Sequence, residues 1–142
     1  MTEVWFYVAN GSDANNRGQL LRRLLERALR SPRQLYLHVQ DSQQAAQLDD
    51  WLWQPAHSFL PHGQARPDGP GEQVVIGHGP DPGPCHDILV NLADDIPDFF
   101  SRFQRVAELV AGSDNEKSMA RDRWRFYRDR GYPVTKHELD GS

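Results

Sequence analysis

The sequence predicts a layered α/β domain built around a largely parallel sheet. Three observations predict it. Short apolar runs rich in β-branched and aromatic residues recur at residues 4–8 (VWFYV), 35–39 (LYLHV), 74–76 (VVI) and 87–92 (DILVNL). Such continuous runs suit strands buried on both faces. Between them lie segments with apolar residues at helical spacing, and strand–helix alternation favours parallel pairing with helices on the sheet faces.

The elements follow in order. After the first strand, NGSDANNRG is a run of turn formers. Leu20, Leu21, Leu24, Leu25, Ala28 and Leu29 then mark one helical face, and Pro32 closes it. Beyond the second strand, Asp41 or Ser42 can cap a helix, with Gln44 three residues after Asp41 as in a capping box. That helix runs to about Trp53 and stops before Pro55. Residues 61–84 are crowded with Gly and Pro and read as loops around the short VVI strand. Pro97 suits a helix first turn. Phe99, Phe100, Phe103, Val106, Ala107 and Val110 would form that helix's apolar face. A last helix carries KSMARDRWRFYRDR and ends at Gly131 and Pro133; residues 134–139 are a final strand. No internal repeat is present, and 142 residues suit one domain, spanning 1–142.

Composition narrows the function classes. No apolar run approaches the roughly 20 residues that cross a bilayer, and the N-terminus has no basic region of the signal-peptide type. Cys85 is alone, so no internal disulfide forms, which fits a cytoplasmic setting. A nucleotide-binding loop is absent: residues 11–18 match neither GxGxxG nor GxxxxGK[ST]. Asp41 reads as a helix cap rather than a ribose ligand. His78, Cys85 and His86 lack the spacing of a structural zinc site. GxSxG and similar nucleophile motifs are missing. We therefore expect no catalytic residues, no metal and no cofactor.

Charge is the outstanding feature. The chain carries −4, yet seven bases against two acids between Lys117 and Lys136 leave −9 for the remainder. At about 100° per residue, and with Lys117 at zero, Arg121, Arg125 and Arg128 fall near 40°, 80° and 20°, and Trp124 near 340°. These five residues share one stripe, whereas Met119 and Phe126 fall near 200° and 180°, where they can face the core. Three readings stand. The stripe is a solvated helix face pairing with the acidic body. It is a pocket in which cations hold an acidic peptide while the indole and arginine stems bury an apolar side chain. Or it binds single-stranded nucleic acid, which the −9 elsewhere disfavours.

Four segments in order resemble the chi subunit family of bacterial DNA polymerase III: FYV, LWQPAHSFLPHG, DILVNL and KSMARDRWRFYRDRGYPV. The resemblance implies a three-layer α/β/α fold with a mixed, largely parallel sheet, Rossmann-like without a nucleotide-binding loop. It also implies a non-enzymatic bridge in the replisome of the bacterial cytoplasm. One side would bind the psi subunit of the clamp loader, through Trp53 and Phe59, a site that can also engage a helicase-like repair protein. The other would bind the C-terminal tail of single-stranded DNA-binding protein, Asp-Asp-Asp-Ile-Pro-Phe with a free carboxylate. That role falls on Lys117, Arg121, Trp124, Arg125 and Arg128, with Val110 at the pocket wall and Arg121 on the terminal carboxylate. Trp124 stands where the family form has tyrosine, and Arg125 where it has lysine. DNA would be reached only indirectly. Residues 94–100 (DDIPDFF) resemble the partner's tail; Pro97 and Asp98 make them an ordinary helix start.

Overall fold

The seven strands of the computed structural model lie in the order β3-β4-β2-β5-β6-β1-β7, and every pairing is parallel. They are β1 Glu3–Ala9, β2 Leu35–His38, β3 His62–Gln64, β4 Val74–Gly77, β5 Ile88–Asn91, β6 Arg105–Val110 and β7 Val134–Leu139. Among the described residues three α-helices accompany them: α1 Arg17–Ala28, α2 Ser42–Leu52 and α3 Asp114–Asp129. The structure describes residues 2–9, 17–28, 30, 33–52, 62–64, 74–83, 85–110 and 114–139.

The sheet separates two cores. On one face Tyr7, Leu35, Leu37, Val74, Ile76, Val90, Ala107 and Leu109 pack against the apolar side of α1 and Ala45 of α2. On the other, Val4, Phe6, Tyr36, Leu89 and Val106 pack against Ala120 and Tyr127 of α3 and a phenylalanine cluster, Phe99, Phe100 and Phe103. This is the expected three-layer arrangement. Strands β2, β4 and β5 are buried at every position, which is why they read as unbroken apolar runs.

The start of α2 follows the capping-box expectation. The Gln44 amide donates to Asp41 Oδ1 at 2.9 Å, and the Gln40 amide donates to Gln44 Oε1 at 3.0 Å. Asp41 is thereby occupied as a cap.

Two expectations are corrected. No long helix follows Pro97. Residues Asp98–Arg102 make one 3-10 turn, and Arg105–Val110 is β6, paired between β5 and β1. Phe99, Phe100, Phe103, Val106, Ala107 and Val110 match helical spacing only because a strand covered on both faces is apolar at consecutive positions. The second correction is β3, a three-residue edge strand inside the segment read as loop. Its sequence, His-Gly-Gln, has no apolar residue to signal it.

Gly77 of β4 is required by packing. A Cβ there would collide with the hydroxyl and ring of fully buried Tyr36. Gly131, after α3, is required by its backbone, with φ +87° and open space around it. In urea unfolding, Gly77→Ala should cost about 1–3 kcal/mol by overpacking, and Gly131→Ala about 1 kcal/mol by left-handed strain alone. Adding Tyr36→Phe should restore part of the Gly77→Ala loss and none of the Gly131→Ala loss. Equal behaviour of the two glycines would contradict the packing assignment.

Candidate functional site on the last helix

Helix α3 is fixed at both ends. Asp114 and Glu116 occupy its first turn and Arg128 its last, matching the helix dipole. At its C-terminus the Tyr132 amide donates to the Tyr127 carbonyl at 3.2 Å and the Gly131 amide to the Arg128 carbonyl at 3.0 Å. This is the Schellman pattern, with Gly131 left-handed.

What holds α3 against the sheet is a buried carboxylate. Glu108 of β6 is fully buried. Its Oε1 accepts from Arg123 Nε at 2.9 Å, and its Oε2 from Tyr127 Oη at 2.7 Å and Asn91 Nδ2 at 3.0 Å. Burial pushes the Glu108 carboxyl above the usual carboxylate range, opposed by the Arg123 charge and the three donated hydrogen bonds. Burial and the adjacent Glu108 raise the Tyr127 hydroxyl well above its usual value, so it stays a donor. Arg123 is not among the five stripe residues, and helical spacing alone does not reveal this network. The available signal was the single charge inside the apolar run VAELV, residues 106–110.

The network turns the helix relative to the sequence expectation. Its buried line is Ala120 and Tyr127. Met119 and Phe126 lie on one flank, where Phe126 still packs against the core, as expected of it. There they line a groove of about 490 Å³ together with Asp94, Asp95, Ile96, Asp98, Asp122, Arg123 and Arg130. The physical reason is that Arg123 and Tyr127 must both reach Glu108, which a simple apolar count ignores. The tail-like segment 94–100 is thus built against this flank, with Phe99 and Phe100 buried in the core.

The basic stripe occupies the opposite flank. Lys117, Arg121, Arg125 and Arg128 are exposed, and Trp124 is half-buried among them. The indole packs on Phe6 of β1, with ring centroids 5.0 Å apart and tilted by 51°. Val110, at the end of β6, is half-buried against the same core. Arg125 pairs with Asp122 at 3.8 Å and Arg128 with Asp129 at 3.7 Å, all four side chains well exposed. Such pairs are worth about 0–1 kcal/mol and leave the guanidinium groups open to a competing acid. Lys117 and Arg121 make no ion pair with another described residue. Of the three readings, the one that pairs the stripe with acids across the body finds no such pair among the described residues; the two pairs found there lie within α3.

The remaining sequence candidates separate. Cys85 is buried and its thiol is pushed up by burial and Asp87, while His78 and His86 are exposed. Among the described residues no group of three His, Cys, Asp or Glu side chains is placed to hold a metal. None of their helices is long and apolar enough to cross a membrane. Trp53 and Phe59 lie outside the described residues.

The described residues thus define an all-parallel α/β domain with a cationic–aromatic flank on its last helix. The family to which it belongs is the chi subunit of DNA polymerase III: the family described as "DNA polymerase III chi subunit, HolC" matches residues 1–135. A protein of Pseudomonas aeruginosa named DNA polymerase III subunit chi is 42% identical over 140 residues, 98% of each chain. Proteins of the same name from Escherichia coli and Haemophilus influenzae are 34% and 28% identical, covering 80% and 78% of each chain respectively.

Removing one partner of a buried charge pair leaves the other uncompensated. Glu108→Ala should therefore cost about 3–5 kcal/mol in chemical denaturation, and Tyr127→Phe about 1 kcal/mol. A Glu108→Ala loss below that of Tyr127→Phe would contradict the anchoring role.

Proposed function

We propose that this chain is a non-catalytic accessory subunit of DNA polymerase III that joins the clamp loader, through the psi subunit, to the acidic C-terminal tail of single-stranded DNA-binding protein in the bacterial cytoplasm. Family membership supports the replication role. The observation that carries the tail-binding reading is the stripe itself: four exposed cations surrounding one half-buried indole. Carboxylates of the tail meet Lys117, Arg125 and Arg128. Arg121 takes the terminal carboxylate in a bidentate pair. The terminal phenylalanine lies against Trp124 and Val110, where aromatic contact adds to area burial. The indole packs on Phe6 beneath it, and its remaining exposed surface is what the ligand's phenyl would meet.

Trp53 and Phe59 are proposed to form the psi face, which a helicase-like repair protein could share by the same contacts. DNA is reached through the single-stranded DNA-binding protein and not by the stripe directly.

Isothermal titration with the tail peptide tests the reading. Saturable micromolar binding, about −8 kcal/mol, should weaken at least tenfold with Arg121→Ala, and likewise with a peptide lacking its last Phe. Unchanged affinity in both cases would overturn the pocket. Strong, salt-steep binding to oligonucleotides without any partner would instead favour direct nucleic-acid binding.

A further inference from the structure

The cationic surface does not end with the helix. Strand β7 is the edge strand beyond β1, paired in parallel with Val4↔Val134, Phe6↔Lys136 and Val8↔Glu138. Paired residues in a parallel ladder project to the same side of the sheet, and alternate residues of a strand share a face. Val4 and Phe6 belong to the core beneath α3, and Val134 packs against it. Lys136 therefore projects on the α3 side, beside Phe6 at a strand spacing of about 4.8 Å. The next residue confirms the alternation: His137 is on the opposite face, stacked on Trp5 with centroids 3.9 Å apart.

Phe6 is the residue on which Trp124 rests. The groove with segment 94–98 takes up the Met119–Phe126 flank of α3, so the stripe faces the other way, toward β7. Lys136 is exposed and makes no ion pair with another described residue. Its like-sheet neighbour Glu138 lies beside Val8, one pleat repeat further along, where Val8 pairs with Val110. Negative charge at the first turn of α3, Asp114 and Glu116, lies beyond the same end of the strands.

We infer that Lys136 is a further binding residue: the site is a two-walled cleft, with Lys117, Arg121, Trp124, Arg125 and Arg128 on the helix and Lys136 on β7. This rests on the tail-binding reading above and extends it. The ligand chemistry is an acidic peptide whose carboxylates reach cations on both walls, while its apolar side chain meets Trp124 over Phe6. A helix stripe alone would accept any anionic strand laid along it. Two walls restrict the ligand to a chain narrow enough to enter between α3 and β7, and Lys136 adds selectivity for acids at that depth.

The test is titration of the full chain with the acidic tail peptide. Lys136→Ala should weaken binding about threefold, the worth of one partly screened charge, and Lys136→Glu about tenfold or more. Lys136→Arg should retain affinity. The decisive variant combines Thr135→Lys with Lys136→Thr, which keeps net charge and moves the cation to the opposite face; it should lose as much as Lys136→Ala. If this swap binds like the parent, the effect is one of net charge and Lys136 has no local role. Peptide binding that responds to Arg121→Ala but not to Lys136→Glu overturns the second wall alone. No peptide binding by the folded parent chain overturns the underlying reading and this extension together.

Discussion

The Glu108 carboxylate is fully buried and accepts from three side chains, Asn91, Arg123 and Tyr127. Each donor comes from a different place: β5, the middle of α3 and its last turn. An ionised group so far from water is tolerated only where its partners are held in place. The network therefore sets both the position and the rotation of α3 against the sheet. A rotation of the helix by one residue, about 100°, would withdraw Arg123 and Tyr127 from Glu108 in either sense, burying the stripe in one and the Met119–Phe126 flank in the other. Satisfying Glu108 places Trp124 beside the sheet, on Phe6, with Lys117, Arg121, Arg125 and Arg128 exposed around it.

That condition divides α3 into three lines of different chemistry. Ala120 and Tyr127 face the core. Met119, Phe126 and Arg130 face the acidic turn after β5, where the Arg130 guanidinium stacks over the Phe126 ring at 4.2 Å. Trp124 and its cations face β7. Aspartates at 94, 95 and 98 sit on the far flank, so among the described residues the cationic one is met only by Asp122 and Asp129 of the same helix, in exposed pairs. Charge is segregated by the helix itself. The arginines of this segment therefore divide: Arg123 meets the buried Glu108, Arg130 lines the groove with Asp94, Asp95 and Asp98, and Arg121, Arg125 and Arg128 stay exposed on the other flank.

Much of this was legible in the residues. The strands with doubly covered faces announce themselves as apolar runs, and the α2 cap as Asp41 with Gln44. The co-location of Lys117, Arg121, Trp124, Arg125 and Arg128 followed from helical geometry. Other parts were not. Strand β6 borrowed helical spacing from the preceding phenylalanines, because a fully buried strand has no period of its own. Edge strand β3 is held by backbone pairing, which leaves no trace in His-Gly-Gln. The inward turn of Arg123 depended on a partner 15 residues away, and the place of Lys136 beside Phe6 on a pairing across the whole chain. Periodicity reports one element at a time. Contacts that join elements, and so complete a site, are outside its reach.

The most direct measurement is a titration of the isotopically labelled chain with the acidic tail peptide, followed by NMR. The account predicts that shifts centre on the Trp124 indole and on Val110, Lys117, Arg121, Arg125, Arg128 and Lys136, leaving the Ile96–Phe126 flank unmoved. Shifts confined to that opposite flank, or to α1 and α2, would contradict it.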